Sequence, residues 1–149
     1  MIPKHPSLNI AIINENYDSC VNQLVDFCVD IEANLYIKTV SESNIKLKKN
    51  IYVEKFSFEQ SRYNKKSLQY DYMFLCAHSQ DLSDLSIVFK KCYRVIKNAA
   101  NIFILSKKEK SQDMMKLLEE TNYVAISTIE LNDDLEIVCA KKMHGWRKV

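Results

Sequence analysis

Short apolar runs alternate with amphipathic stretches along most of this chain. The run LNIAII (8–13) is almost continuously apolar and rich in β-branched residues, which is typical of a central strand covered on both faces. In the stretch that follows (17–33), apolar residues recur every three or four positions, as they do on one face of a helix. The opening of the chain therefore predicts a strand followed by a helix.

The same alternation continues to the end of the sequence. Strands are predicted at 34–40, 50–56, 70–77 and 101–105, helices at 81–98 and 111–122, and a closing antiparallel hairpin at 123–131 and 135–143. Residues 57–70 are expected to be irregular, and Asn98 is expected to provide the left-handed conformation that often ends a helix. The order β-α-β-β-β-α-β-α-β-β predicts a single α/β domain over residues 1–149, with a doubly wound, mostly parallel sheet and an antiparallel hairpin at one edge.

The bulk composition is that of an ordinary globular domain. The chain has 149 residues, of which 47% are hydrophobic, and a net charge of +2. So small a charge argues against nucleic acid as a partner. No apolar run approaches the roughly 20 residues that span a bilayer, and the first residues do not form a secretory signal. We therefore expect a cytoplasmic protein without membrane contact.

The cysteines point to the same compartment. They stand at positions 20, 28, 76, 92 and 139, an odd number without close pairs. We interpret them as reduced thiols, most of them packed as small hydrophobic side chains. No CxxC or HxxxH pair accompanies Cys76 and His78, so no metal site is expected.

Three stretches of the sequence resemble the class I S-adenosylmethionine-dependent methyltransferases. YDYMFLCAHSQDL (70–82) is similar to that family's fourth strand and the loop after it, and FKKCYRVIKNAANIFIL (89–105) is similar to the passage from a helix into its fifth strand. The closing hairpin (122–142) looks like the reversed strand that distinguishes this family from other Rossmann-like domains. The resemblance covers roughly residues 8–142 and implies a methyltransferase-like fold.

The turn after the first strand departs from the family pattern. The family places a glycine-rich turn there, because side chains would collide with the ligand. This chain has Asn14, Glu15, Asn16 and Tyr17 instead, and its only glycine is Gly145. Glu15 also brings a negative charge near the expected position of the ligand carboxylate. The resemblance therefore implies a degenerate member of bacterial type, for which no cofactor is expected.

Other residues match positions that would touch S-adenosylmethionine if it bound. Glu42 corresponds to the residue that holds the ribose hydroxyls, or is simply a loop carboxylate, and Glu54 corresponds to the residue that meets the adenine. Cys76, near the end of the fourth strand, is a further candidate for cofactor binding. His78 is a candidate general base, or a loop histidine without a catalytic task.

These features leave three interpretations of function. The leading one is a methyltransferase-like domain that has lost methyl transfer and acts as a binding, regulatory or self-associating module, with a protein or a second copy as partner. The first alternative is an active small methyltransferase that uses S-adenosylmethionine. The second is a receiver- or flavodoxin-like regulatory module, because residues 101–120 also resemble a receiver's last strand and helix.

The C-terminal segment is a candidate interface. Residues 143–149 form a basic tail that carries the only tryptophan of the chain. Tryptophan and arginine often anchor protein interfaces. Trp146 and Arg147 are therefore predicted to be interface residues.

Overall fold

The strands and helices follow one another in the order that the sequence predicts. The computed structural model describes residues 8–15, 18–40, 49–64, 66–76 and 82–143. Within these residues the strands are β1 (Asn9–Asn14), β2 (Asn34–Thr39), β3 (Ile51–Lys55), β4 (Tyr70–Cys76), β5 (Ile96–Lys107), β6 (Tyr123–Glu130) and β7 (Leu135–Lys142). The helices are α1 (Asp18–Asp30), α2 (Leu82–Val95) and α3 (Ser111–Glu120).

All strands of the described residues belong to one sheet, in the order β3-β2-β1-β4-β5-β7-β6. Strands β1 to β5 pair in parallel, and β7 runs antiparallel to both of its neighbours, β5 and β6. The predicted mostly parallel sheet with a C-terminal antiparallel hairpin is therefore confirmed. A flavodoxin-like sheet has the order 2-1-3-4-5, so the receiver-like alternative is wrong at the level of the fold.

Helices α2 and α3 cover one face of the sheet, which we call the α2 face. Ile13 and Leu75 point to this face from the central strands and pack in one buried cluster with Phe89 of α2 and Leu118 of α3. Fully burying an apolar side chain of this size stabilises a fold by about 1.5–3 kcal/mol. The α2 face therefore holds the main core.

Helix α1 covers the opposite face, which we call the α1 face. Val21 and Val25 of this helix pack against Ile12 of β1 and Ile37 of β2. Among the described elements, α1 is the helix on this side, and its packing is centred on β1 and β2. Among the described residues, no helix covers the α1 face of β4, β5 and β7.

The junction of α2 and β5 differs from the prediction. The helix ends at Val95 and β5 begins at once with Ile96, so Asn98 lies inside the strand. The expectation that Asn98 is the left-handed residue was wrong, since the positive φ angle of 63° belongs to Ala99. The reason is that Gln69 N–H donates to the Val95 carbonyl over 2.7 Å, which ties the helix end to the segment before β4 and draws the following residues into the sheet.

None of the helices in the described part of the chain combines the length and the apolar composition needed to cross a bilayer.

Candidate functional site

The strand order places the candidate site at the carboxyl ends of β1 and β4. The chain runs outward from β1 through β2 and β3 in one direction, and from β4 through β5 in the other. In open α/β sheets, ligands bind at this point of reversal, because the loops after the two strands leave in opposite directions. The residues that follow β1 and β4 therefore decide whether a ligand can enter.

Asn14 and Glu15 lie at this position, as predicted, and both are buried. The N–H of Glu15 donates to the Cys76 carbonyl over 2.8 Å, and the Asn14 carbonyl accepts a hydrogen bond from Val40 N–H over 3.1 Å. These bonds continue the pairing of β1 with β4 and β2 beyond the last strand residues. The Glu15 amide, which a ligand could otherwise use as a donor, is therefore already bonded.

Cys76 is also brought to this end of the sheet. It pairs with Asn14 in the β1–β4 register, and its side chain faces the side covered by α1. Glu54, in contrast, lies on the edge strand β3, two strands away from β1. The structure thus brings Asn14, Glu15 and Cys76 together and leaves Glu54 apart from them.

Glu54 has a protein partner that the sequence prediction missed. Its carboxylate forms an ion pair with the ammonium group of Lys38 on β2, whose side chain is 1% exposed. The Lys38 Nζ also lies 5.7 Å from the centre of the Tyr70 ring. Burial, together with the nearby Glu54 carboxylate, raises the pKa of Tyr70 above its usual value. The sequence does indicate a buried cation at this position, since Lys38 interrupts the apolar strand NLYIKTV.

Several predicted site residues cannot be placed. Asn16, Glu42 and His78 lie outside the described residues, as do Trp146 and Arg147. Their predicted roles stay predictions. Within the described residues, no group of three or more His, Cys, Asp or Glu side chains is arranged to hold a metal ion.

A second feature, which the sequence did not suggest, lies on the open part of the α1 face. We call it the apolar groove: a depression of about 500 Å³ between α1 and the strands β4, β5 and β7. Its walls are mainly hydrophobic, with Leu24, Phe27, Phe74, Phe103, Leu105 and Ile137 among the lining residues. The rings of Phe74 and Phe103 stack on its floor, with their centres 5.0 Å apart.

The described cysteines do not form a reactive centre. Cys28, Cys76, Cys92 and Cys139 are free thiols. Burial raises the pKa of Cys28 and of Cys92 to about 12. Because the thiolate is the nucleophilic form, such thiols are poor nucleophiles near neutral pH. The side chain of Cys20 lies outside the described part of the structure.

Comparison with known proteins supports the fold. The sequence matches no protein-family model and no curated protein. The structure is similar to the CMeT domain of citrinin polyketide synthase, with a TM-score of 0.79 and 10% identity, over 93% of this chain and 47% of that domain. The chain thus spans about half the length of this relative.

Two methyltransferases of more similar length match as well. One is an S-adenosylmethionine-dependent methyltransferase from Mesorhizobium loti, with a TM-score of 0.71 and 10% identity over 95% of this chain and 94% of that one. The other is a SAM-dependent methyltransferase from Aquifex aeolicus, with a TM-score of 0.66 and 13% identity over 93% of this chain and 85% of that one. The chain therefore has the fold of the class I S-adenosylmethionine-dependent methyltransferases, as predicted.

Proposed function

We propose that this chain is a methyltransferase-like domain that has lost methyl transfer and acts in the cytoplasm as a binding module for a protein or for a second copy of itself. The observation that carries the proposal is the hydrogen bond of 2.8 Å from Glu15 N–H to the Cys76 carbonyl. A ligand in a doubly wound sheet enters where these two strands separate. In this chain the Glu15–Cys76 hydrogen bond keeps β1 and β4 paired one residue past the end of β1.

The side chains at this point support the same proposal. Glu15 is buried where the family resemblance puts the carboxylate of S-adenosylmethionine. Glu54, the counterpart of the adenine-binding residue, is engaged with Lys38 instead. Both positions are therefore occupied by interactions within the protein.

The apolar groove supports the binding role. Parallel sheets are normally covered on both faces. In the described part of the chain, however, Phe74 and Phe103 stack on a part of the sheet where α1 provides only one wall. An apolar surface of this kind is typical of protein–protein contact sites. Self-association through this face is part of the proposal.

Isothermal titration with S-adenosylmethionine and S-adenosylhomocysteine tests the loss of cofactor binding. We expect no binding heat for either compound and no thermal shift, with circular dichroism confirming that the chain is folded. A ligand at a hundred times its Kd would add about 2.7 kcal/mol to the free energy of unfolding. Micromolar binding of S-adenosylmethionine would overturn the proposal.

A second candidate function is an active small methyltransferase. It is favoured by the similarity to the Mesorhizobium loti methyltransferase, which this chain matches over 94% of that protein's length. In this case Asn14 and Asn16 would lie at the methionine end, Glu42 at the ribose and Glu54 at the adenine. His78 would lie near the methyl acceptor.

The Glu42→Ala variant distinguishes the second candidate from the first. If the chain binds S-adenosylmethionine through Glu42, this variant loses at least tenfold in affinity, while Glu120→Ala on the exposed side of α3 binds as the wild type does. Equal affinity of the wild type and the Glu42→Ala variant would contradict the assignment of Glu42.

A further inference from the structure

The outer edge of β6 is a feature that the candidate site does not use. β6 is the last strand of the sheet, and within the part of the chain that the structure describes no strand pairs with its outer side. It is exposed along most of its length, including the large apolar side chains of Val124 and Ile129. Exposed edge strands are templates for pairing with a strand of another chain. The edge of β6 is therefore a candidate contact surface.

The backbone groups of β6 alternate in direction. Leu131 N–H donates to the Leu135 carbonyl over 3.1 Å. Hydrogen-bonded and non-hydrogen-bonded pairs alternate along an antiparallel ladder, so the backbone groups of Ile129, two residues earlier, also face β7. The N–H and C=O groups of Thr128 and Glu130 consequently point outward. They are available to a further strand.

The side chain of Ile129 extends the apolar surface of the groove to this edge. Ile129 pairs with Ile137, which lines the groove, and the side chains of paired residues lie on the same face of a sheet. Leu131 also lines the groove. Ile129 is 44% exposed and Leu131 is 50% exposed. An apolar strip on the α1 face thus reaches the outer edge of β6, where a paired strand covers it.

We propose that β6 pairs antiparallel with β6 of a second copy, about a two-fold axis that passes beside Ile129. This inference rests on the proposed function, because it names the partner of the same binding module and the contact that joins the two copies. An antiparallel edge is its own complement about a two-fold axis, so the same residues serve on both sides of the contact.

The position of the axis follows from the bulge in β6. The β6–β7 register shifts between Val124 and Ser127, and Ala125 has a φ angle of 52°. A bulge twists an edge strand away from a partner. The regular part of the edge is therefore 127–131, and its centre is Ile129. A contact this short is expected to dissociate on dilution.

This register satisfies the outward backbone groups and covers the apolar strip. Thr128 of each copy lies opposite Glu130 of the other, and each of these pairs exchanges both of its N–H···O=C bonds. Ile129 lies opposite Ile129 of the second copy, at a position without hydrogen bonds, where side chains approach most closely. Leu131 lies opposite Ser127 of the second copy and diagonal to its Ile129.

The charges of the edge are compatible with a second copy. Glu130 is the only charged residue between positions 123 and 131, and its carboxylate accepts a hydrogen bond from the Lys108 ammonium over 2.6 Å. The two-fold register keeps the two Glu130 carboxylates apart, since each lies opposite Thr128. The other edge strand, β3, carries two charged residues among its five, and charged side chains protect an edge from pairing.

Sedimentation equilibrium of the full chain with charged variants tests the two-fold contact. Ile129→Lys and Ile129→Glu each place like charges opposite each other, so we expect each to raise the dimer dissociation constant at least tenfold. An equimolar mixture of the two variants should associate at least tenfold more tightly than either alone, because opposite charges then meet. Val53→Lys and Val53→Glu, at an exposed position of the edge strand β3, are the matched controls and should dimerise as the wild type does.

Three results would overturn the inference. The first is a wild-type chain that is monomeric at all concentrations. The second is a dimer that neither charge at position 129 weakens. The third is a pair of weakened variants that do not associate on mixing, with circular dichroism showing that both are folded.

Amide hydrogen exchange distinguishes pairing at this edge from any other dimer. The amides of Thr128 and Glu130 should exchange at least tenfold more slowly in the dimer than in the Ile129→Lys chain. The amide of residue 129, which is bonded to β7, should be protected in both. Exchange at Thr128 and Glu130 that does not depend on the wild-type concentration would contradict the edge contact.

The two proposals can fail separately. Binding of S-adenosylmethionine by a dimer that depends on Ile129 would refute the loss of cofactor binding and leave the edge pairing standing. A chain that is monomeric at all concentrations and has no cofactor affinity would do the reverse.

Discussion

Lys38 and Glu54 form an ion pair across β2 and β3, in which the lysine is buried and the glutamate is 60% exposed. The two residues are direct partners in the parallel register of these strands. The resemblance to methyltransferases assigned Glu54 to a ligand, whereas the fold uses it to neutralise a buried cation. The contact of Glu54 with a ligand, which the resemblance implies, stays a prediction.

The first prediction concerns this pair. Glu54→Gln keeps the size of the side chain and removes its charge, so the buried ammonium of Lys38 loses its counter-ion. We expect the free energy of unfolding to fall by about 1–3 kcal/mol, as measured by urea denaturation. Glu120→Gln, at an exposed position on α3, should change it by less than about 0.5 kcal/mol.

The double variant Lys38→Met/Glu54→Gln provides the complementary test. Replacing a buried ion pair by apolar groups of similar volume is often neutral or stabilising. The double variant should therefore be more stable than Glu54→Gln alone. If it is less stable, Lys38 contributes something other than a charge that needs neutralising.

The second prediction concerns backbone strain in a chain that has almost no glycine. Ala99 has a φ angle of 63° and lies on the surface. A left-handed conformation costs an L-residue roughly 1–2 kcal/mol. Glycine removes this cost from the native state, but its greater chain entropy in the unfolded state offsets about half of the gain. Ala99→Gly should therefore raise the free energy of unfolding by about 0.5–1 kcal/mol in urea denaturation.

The neighbouring alanine is the matched control for this substitution. Ala100 is not among the residues with positive φ and is buried. Ala100→Gly should destabilise the chain by about 1 kcal/mol, because it adds entropy to the unfolded state and relieves no strain. The same sign for both variants would contradict the explanation.

The third prediction concerns the contact between β6 and α2. The Tyr123 hydroxyl donates to the Phe89 carbonyl over 2.8 Å, and the tyrosine is 2% exposed. Tyr123→Phe should lower the free energy of unfolding by about 1 kcal/mol, the usual net value of one hydrogen bond. Tyr52→Phe, on a half-exposed ring of β3, should have no measurable effect in the same urea experiment.

The fold was largely predictable because its signals are local. The apolar run that became β1 and the helical stripe of α2 are visible within windows of a few residues. The start of β5 was not predictable in the same way, since Lys97, Asn98 and Ala99 are exposed and look like a loop. They belong to the strand because they lie between two residues that pair with β4: Ile96 pairs with Tyr70, and Asn101 pairs with Tyr72. The β4–β5 register shifts between these two pairs.

The candidate site was less predictable, because its contacts join distant parts of the sequence. Asn14, Glu15 and Cys76 were correctly expected at one end of the sheet, since the ends of adjacent parallel strands meet there. The pairing of Lys38 with Glu54 depends on β2 and β3 being neighbours, which the sequence did not specify. The apolar groove depends on which strands a helix leaves uncovered, and no local pattern records this.

The fourth prediction concerns alkaline pH. Cys28 and Cys92 are fully buried, and burial raises the pKa of each thiol to about 12. In the unfolded chain these thiols ionise near pH 8.5. Between these values the unfolded state binds fewer protons than the native state, so the free energy of unfolding must fall as the pH rises. Below pH 8 the two thiols should cause no pH dependence.

The size of this effect follows from the same linkage. One proton bound only by the native state corresponds to about 1.4 kcal/mol per pH unit, so the two thiols together should cost up to about 2.7 kcal/mol per unit above pH 9. Urea denaturation at pH 8, 9 and 10 in the presence of reductant measures this slope. Cys92→Ala should reduce the slope by up to about 1.4 kcal/mol per pH unit, whatever its effect at pH 7. The rest of the slope includes Cys139 and the buried Tyr63, Tyr70 and Tyr123, whose pKa values burial also raises. A free energy of unfolding that stays constant from pH 8 to 10 would show that the thiols ionise in the native state, and that water enters the cores beneath α1 and α2.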